Sequence, residues 1–272
     1  MIGVNLVVCV PIGHPELRSA TEAAVLSLND SDLGDQEHLW AAVDNGSSDD
    51  TADWLDAILE TQASRNWVYR ARANLGIARA RNIATHFLMA QGCDLILEVH
   101  NDMLFPRQWL GPLLETLEER PRCGLVAPGL VVGRPVLHAP MLSFAADADW
   151  QERRRLLEIF ANSVRRPGLL RPGLQHPALK RTAMLRAIGI YDESFGLRNF
   201  EDTDEIYRML ETGWDYLVNL GSAVWHAYSF SVNKLGPQDP YAPQEAAFRE
   251  KWDGKHEVYG TRLADEFARL YA

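Results

Sequence analysis

Hydrophobic and polar positions follow two alternating periods through the first half of this chain. "NLVVCVPI" (residues 5–12) is a short apolar run closed by proline and glycine, the pattern of a buried strand. Pro15 then suits a first helical turn, and Leu17, Ala20, Ala24 and Leu28 recur at helical spacing, predicting a helix to about Ser27. "HLWAAVD" predicts a second strand ending at Asp44, followed by a turn over Asn45-Gly46. Ser47 and Asp50 have the spacing of a capping box, ahead of a helix whose apolar face is Trp54, Leu55, Ile58 and Leu59. "NWVYRA" is a third strand, and "NLGIARARNIATHFLMAQG" a helix entered through Gly76 and stopped near Gly92. "DLILEV" is a fourth strand. "RQWLGPLLETLEER" reads as a helix that Pro112 either kinks or starts late. "CGLVAPGLVVG" and "PVLHAPMLSF" read as further strands. Strands alternating with helices imply an α/β fold with a mainly parallel central sheet and helices on both faces.

From about Ala146 the pattern changes. "DADWQERRRLLEIFANSVRRPGLLRPG" is arginine-rich with a short amphipathic core, predicting a helix and then a loop. "HPALKRTAMLRAIGIYDESFG" returns to strand, helix and turn. "NFEDTDEIYRMLETGW" opens with acids and then places Ile206, Met209 and Leu210 on one helical face. "DYLVNLGSAVWHAYS" is strand-like, and "PQEAAFREKWDG" and "GTRLADEFARLYA" predict closing helices. There is no repeat, no low-complexity tract and no linker long enough to divide the chain.

One segment breaks the apolar pattern. In "DLILEVHNDMLFP" (94–106), alternation puts Glu98, His100 and Asp102 on one face of a strand that is otherwise apolar. In open parallel sheets ligands bind beyond the carboxyl ends of the strands. Asp44 and the His100-Asn101-Asp102 triplet both sit at such ends.

Composition narrows the classes. The formal charge of -10 argues against nucleic-acid and anionic-membrane partners, which attract basic surfaces. No run reaches the roughly 18 to 20 apolar residues of a membrane span, and the start reads as a core strand with no basic leader. Cys9, Cys93 and Cys123 lack metal-like spacing and read as reduced small hydrophobes of a cytoplasmic protein.

Seven segments, in order, resemble glycosyltransferase family 2. They are "VDNGSSDDT", "NLGIARARNIA", "LILEVHNDMLFP", "GIYDESFG", "FEDTDEIYRML", "VWHAYS" and "FREKWDG". The resemblance implies a single GT-A (Rossmann-like) domain over 1–272. Residues 1–130 would form the nucleotide-sugar-binding half, 131–240 the acceptor-binding and catalytic half, and 241–272 a C-terminal helical tail. It implies an inverting transfer of a sugar from a nucleotide diphosphate (UDP, GDP or dTDP) to a hydroxyl of a saccharide, a small molecule or a lipid-linked acceptor. A lipid-linked acceptor would be met peripherally at the membrane.

The same resemblance assigns residues. A multiply charged diphosphate leaving group calls for Mn2+ or Mg2+ held by hard oxygen or imidazole ligands. Asp102 and His226 are the implied metal ligands; read alone, Asp102 is also a turn cap and His226 a structural histidine. His100 stands where the family often has an acid, so it either meets ribose or is structural. Asn101 lies between them. Asp44 would contact the nucleobase or ribose, Pro11 with Ile12 would line the base pocket, and Arg81, more than Arg79, would face the nucleotide. Asp202 is the implied general base, Glu201 an acceptor contact, and Trp150, with Trp214 and Trp225, falls on the acceptor side. Glu98 receives no role. Two alternatives stand beside this reading: a nucleotide-sugar-binding module without catalysis, and a nucleotidyltransferase. The second is weakened because "PIGHPELR" has only one glycine where a phosphate loop would need several.

Overall fold

A computed structural model describes residues 1–9, 15–62, 65–132, 150–173, 176–197, 199–226 and 241–270. The predicted strand over 135–144 and the base-pocket residues Pro11 and Ile12 lie outside the described residues, as does the side chain of Trp150.

The first half is β1 (Ile2–Val8), α1 (Pro15–Asn29), β2 (His38–Asp44), α2 (Thr51–Gln62), β3 (Asn66–Arg70), α3 (Ile77–Ala90) and β4 (Leu95–His100). These strands pair in parallel, β1 with both β2 and β4, and β2 with β3. Every residue of β2 is buried, as expected of a parallel strand covered on both faces. Leu17, Val25, Leu28, Leu55 and Leu59 fill the face beneath α1 and α2. On the other face α3 lies close because its sheet side is Ala80, Ala84 and Leu88. A Cβ on Gly3 of β1 would come within 2.9 Å of Leu88, so that approach depends on glycine.

α2 starts later than the capping-box spacing implies. Asp44 Oδ1 accepts from the Ser47 N–H and closes the turn after β2. The helix begins at Thr51, with Trp54 N–H bonded to the Asp50 carbonyl and Thr51 N–H to Asp49 Oδ1.

The second half is β5 (Met103–Leu104), α4 (Gly111–Glu119), β6 (Cys123–Val132), α5 (Trp150–Val164), β7 (Leu170–Pro172), β8 (Ala178–Arg181), α6 (Thr182–Ile188), a 3-10 turn (Glu193–Phe195), α7 (Glu201–Thr212), β9 (Asp215–His226), α8 (Tyr241–Lys251) and α9 (His256–Leu270). Pro112 sits in the first turn of α4, which therefore starts late, and Asp32 accepts from the free N–H groups of Leu110 and Gly111. A short strand, β7, follows the expected loop after α5 and pairs with β9.

Among the described residues the sheet runs β3-β2-β1-β4-β8-β6-β9-β5, with β7 added against β9. It is parallel from β3 to β4 and mixed beyond. β8 enters antiparallel between β4 and β6, while β6 and β9 pair in parallel. Two consequences place the site. The antiparallel start of β8 comes to the carboxyl end of β4, bringing His176 to His100. Pairing of Met103 with His226 brings the end of β9 beside Asp102. No helix among the described residues is long and apolar enough to cross a membrane.

Candidate active site

The carboxyl end of β4 gathers three side chains. His226 Nε2 is 3.1 Å from Asp102 Oδ1, and His100 Nδ1 is 3.3 Å from His226 Nε2. One ligand atom from each of the three lies within 4.8 Å of the others. Asp102 and His226 are each 7% exposed, so neither is an ordinary solvated surface group. Asn101, between them in sequence, turns away and donates to Thr21 Oγ1 of α1 at 3.0 Å, which braces the turn.

Arg81 decides the state of His100. Its Nη2 lies within hydrogen-bond reach of His100 Nε2, and a guanidinium only donates, so Nε2 accepts and the ring proton sits on Nδ1. Burial first, then the neighbouring His176 and the Arg81 charge, hold the His100 pKa well below its ordinary value, so the ring is neutral. With Nδ1 protonated, His100 has no free lone pair for a cation. Asp102 Oδ1 does, and His226 Nε2, which here is engaged with Asp102 and His100, could offer its lone pair only by giving up those contacts to an ion. Two neighbouring ligands of an octahedral divalent ion, each about 2.1 Å from it, stand about 3 Å apart, close to the observed separation. Their mixed carboxylate–imidazole chemistry suits Mn2+ or Mg2+. Among the described residues this is a group that could hold a divalent cation.

The second acid group comes from α7. Its entry is unusual: Asn199 and Phe200 both have positive φ, at 77° and 68°, and Phe200 is the residue before the helix. This tight entry sets Glu201 and Asp202 at the helix start, facing β4. Asp202 is about one-third exposed, and its Oδ1 lies 3.3 Å from Arg81 Nη1. Burial raises its pKa, but His176, Arg81 and Lys180 outweigh that and hold the carboxyl below its ordinary value. Glu201 behaves oppositely. Burial, and then the Asp202 charge, push its pKa up to about 7. One turn on, buried Asp204 accepts from Trp252 Nε1 at 2.9 Å and meets Lys251 Nζ at 2.7 Å and Arg208 Nε at 2.8 Å. α8 and the turn after it thereby hold the start of α7.

Behind these groups lies a network that the sequence reading passed over. Lys180 of β8 is fully buried, with Nζ 2.8 Å from both Glu98 Oε2 and Glu205 Oε2 and 2.6 Å from the Tyr191 hydroxyl. Tyr191 donates in turn to Glu98 Oε2 at 2.7 Å. Burial raises the Glu98 pKa, yet Lys180, His176 and Arg81 reverse this and hold it far below the carboxylate range. Glu98, given no role from sequence, is therefore the anion around which the others are arranged. The available signal was a lysine and a glutamate at apolar positions of "ALKR" and "LILEVH".

The remaining expected residues divide. Arg81 is 3% exposed, with its guanidinium directed at Asp202, His100 and Tyr191, whereas Arg79 is 60% exposed and pairs loosely with Glu193 at 3.8 Å. Asp44 is buried at the end of β2 on the same sheet edge as His100, with Oδ1 engaged by Ser47 N–H. Trp214 packs against the core cluster of α3 and α7. Gly76, at φ 83°, opens α3; a Cβ there would sit 2.7 Å from Leu197 Cα, so α3 can press on the segment before α7.

The profile of glycosyl transferase family 2 matches residues 21–167, more than half of the chain. The chain belongs to glycosyl transferase family 2. No curated protein matches this family 2 chain. Solved structures do, at low identity. GalNAc-T7 with UDP, GalNAc and Mn2+ superposes with a TM-score of 0.68 and 14% identity, over 95% of this chain and 49% of that one. Residues 1–349 of S. aureus TarS superpose with a TM-score of 0.57 and 14% identity, over 94% of this chain and 71% of that one. The same TarS fragment in complex with UDP gives 0.54 and 13%, over 92% and 70%. The fold is GT-A, and the family 2 chain spans about half the length of the GalNAc-T7 chain.

Proposed function

We propose that this chain is an inverting glycosyltransferase that moves a sugar from a nucleotide diphosphate to an acceptor hydroxyl. The observation that carries this reading is the convergence of Asp102, His226 and Asp202 at one sheet edge, from β4, β9 and α7. Asp102 and His226 would hold Mn2+ or Mg2+, which when bound supplies positive charge against the departing diphosphate. His100 directs its Nδ1–H at His226 Nε2, and would turn it to ligand oxygen once that nitrogen binds the ion. Asp44, at the end of β2, would meet the base or ribose. Asp202, kept ionised by Arg81 and His176 and partly open to solvent, accepts the proton of the acceptor hydroxyl as its oxygen attacks the anomeric carbon. Glu201 beside it would orient the acceptor. UDP is the first donor base to test, because GalNAc-T7 and TarS were both solved with UDP.

The test has two steps. UDP, GDP and dTDP are screened for a rise in melting temperature with and without Mn2+; a binder stabilises the fold by mass action. Release of the matching diphosphate from its sugar donors is then followed in the native protein and in Asp202→Asn. Loss of about 100-fold or more in turnover, with diphosphate binding retained, is expected for a general base. Undiminished turnover in Asp202→Asn would remove it from that role, and binding with no turnover in the native protein would leave a nucleotide-binding module.

A further inference from the structure

The imidazole of His176 stands between two carboxylates of different function. It precedes β8 and is 7% exposed, with its ring stacked on His100 at a centroid distance of 4.8 Å and an interplanar angle of 21°. Its Nε2 lies 3.5 Å from Glu98 Oε2 and 3.9 Å from Asp202 Oδ1. A nitrogen lone pair aimed at two carboxylates would be repelled by both, so Nε2 carries the ring proton.

Every polar contact of Asp202 among the described residues runs through one oxygen. Arg81 Nη1 reaches Oδ1 at 3.3 Å, and His176 Nε2 approaches the same Oδ1. The side chain as a whole is about one-third exposed. We propose that His176 is a positioning residue for Asp202, holding Oδ1 together with Arg81 so that Oδ2 is the oxygen presented to the acceptor hydroxyl. This deepens the reading of Asp202 as general base and rests on it.

The chemistry is self-consistent through a turnover. Before transfer, the Nε2–H of His176 faces both Glu98 Oε2, at 3.5 Å, and Asp202 Oδ1, at 3.9 Å. The acceptor O–H bond breaks as its oxygen bonds to the anomeric carbon, the bond from that carbon to the diphosphate oxygen breaks with its electron pair leaving on the nucleoside diphosphate, and the proton goes to Asp202 Oδ2. Asp202 is then neutral, and Glu98 remains as the anion for the same Nε2–H. The ring never needs to change tautomer. The 3.9 Å separation is beyond hydrogen-bond range, and catalytic contacts of this kind tighten when substrate fills the site. The groups facing His176 are Glu98 and His100 from β4, Arg81 from α3 and Asp202 from α7. Burial first, with Arg81, lowers its pKa more than the two carboxylates raise it, so the donor is a neutral N–H.

Three measurements test the proposal: UDP–Mn2+ affinity by calorimetry, UDP release from a panel of UDP-hexoses, and the 13C titration of the Asp202 carboxyl. His176→Phe keeps the stack on His100 and removes the donor. It is expected to lower kcat by about tenfold or more with UDP–Mn2+ affinity unchanged, and to shift the Asp202 titration to higher pH. His176→Gln restores a side-chain N–H and should recover most of both losses. Native kcat and an unmoved Asp202 titration in His176→Phe would overturn the proposal, as would a glutamine variant no better than phenylalanine. Where the phenylalanine variant does not fold, 15N spectra of the native histidines decide: the Nε2–H tautomer at His176 is expected, and the Nδ1–H tautomer refutes it. Full turnover in Asp202→Asn sinks the base assignment itself, whereas an inactive Asp202→Asn beside a fully active His176→Phe sinks only the role of His176.

Discussion

Replacing Lys180 by methionine removes a cation that two buried carboxylates share. Lys180 is fully buried, and its Nζ lies 2.8 Å from both Glu98 and Glu205, which are 2% and 0% exposed. Methionine fills much the same volume, so the change is chiefly electrostatic. Removing one partner of a buried ion pair costs about 3–5 kcal/mol, because the remaining charge has lost its compensation. For a domain of this size that corresponds to a fall in Tm of roughly 6–20 °C. The sign with pH follows from Glu98. Its folded pKa is depressed, so its stabilising contribution is complete above the ordinary value of 4.5 and is lost only gradually, as pH falls from there down through the depressed folded value. The gap between native protein and Lys180→Met should therefore be widest near neutrality and narrow in acid. Urea unfolding at pH 7 and pH 4 measures it. The triple variant Glu98→Gln, Lys180→Met, Glu205→Gln leaves Arg81, still paired with Asp202, as the buried charge facing Glu98, and should recover part of the loss. A cost below about 1 kcal/mol for Lys180→Met at pH 7, or a gap that widens in acid, would refute the assignment of these charges.

Other outcomes are equally specific. Asp102→Asn should abolish the Mn2+-dependent rise in melting temperature while leaving the fold intact, and a retained rise would mean that the ion is held elsewhere. Glu201, with its pKa raised from 4.5 to about 7, should cost the native protein stability progressively as pH rises between those values. Glu201→Gln should lack that decline and gain up to about 3 kcal/mol on the native protein between pH 4 and pH 8 by urea unfolding; equal pH profiles would contradict it. Arg79→Ala should change stability by less than about 0.5 kcal/mol, since its ion pair is exposed and long. Arg81→Lys should instead lower turnover, because a lysine has no fork to span Asp202 and His100; native activity in that variant would count against the coupling.

What the sequence disclosed, and what it withheld, divides by distance along the chain. Local period and punctuation were enough for β2 to β4 with their helices, for the acids at the start of α7, and for the polar end of β4, while β1 runs Ile2–Val8 and so starts three residues ahead of the apolar run at 5–12. Alternation correctly put Glu98 and His100 on one face, but could not say that the face is buried. That depends on Lys180, 82 residues away, and Tyr191, 93 away. Arg81 reads as one of two arginines on a helix surface until counter-charges from β4 and α7 close around it. The antiparallel entry of β8 is likewise invisible to periodicity, because strand direction is set by what lies on either side. His176 becomes visible only once that direction is known. The capping-box spacing misled for a related reason: Asp44 had already claimed the Ser47 N–H.

The hold of Trp252 and Lys251 on Asp204 ties the closing segment to the helix start that bears the proposed base. A premature stop before Tyr241 would leave every described sheet strand in the sequence, yet strip two of the three cationic or N–H donors that the described residues give to a buried carboxylate. The segment two residues upstream, bearing Asp202, would then lose its footing. Nonsense or frameshift lesions late in the reading frame should accordingly behave as null alleles, even though the nucleotide-facing edge would be spared.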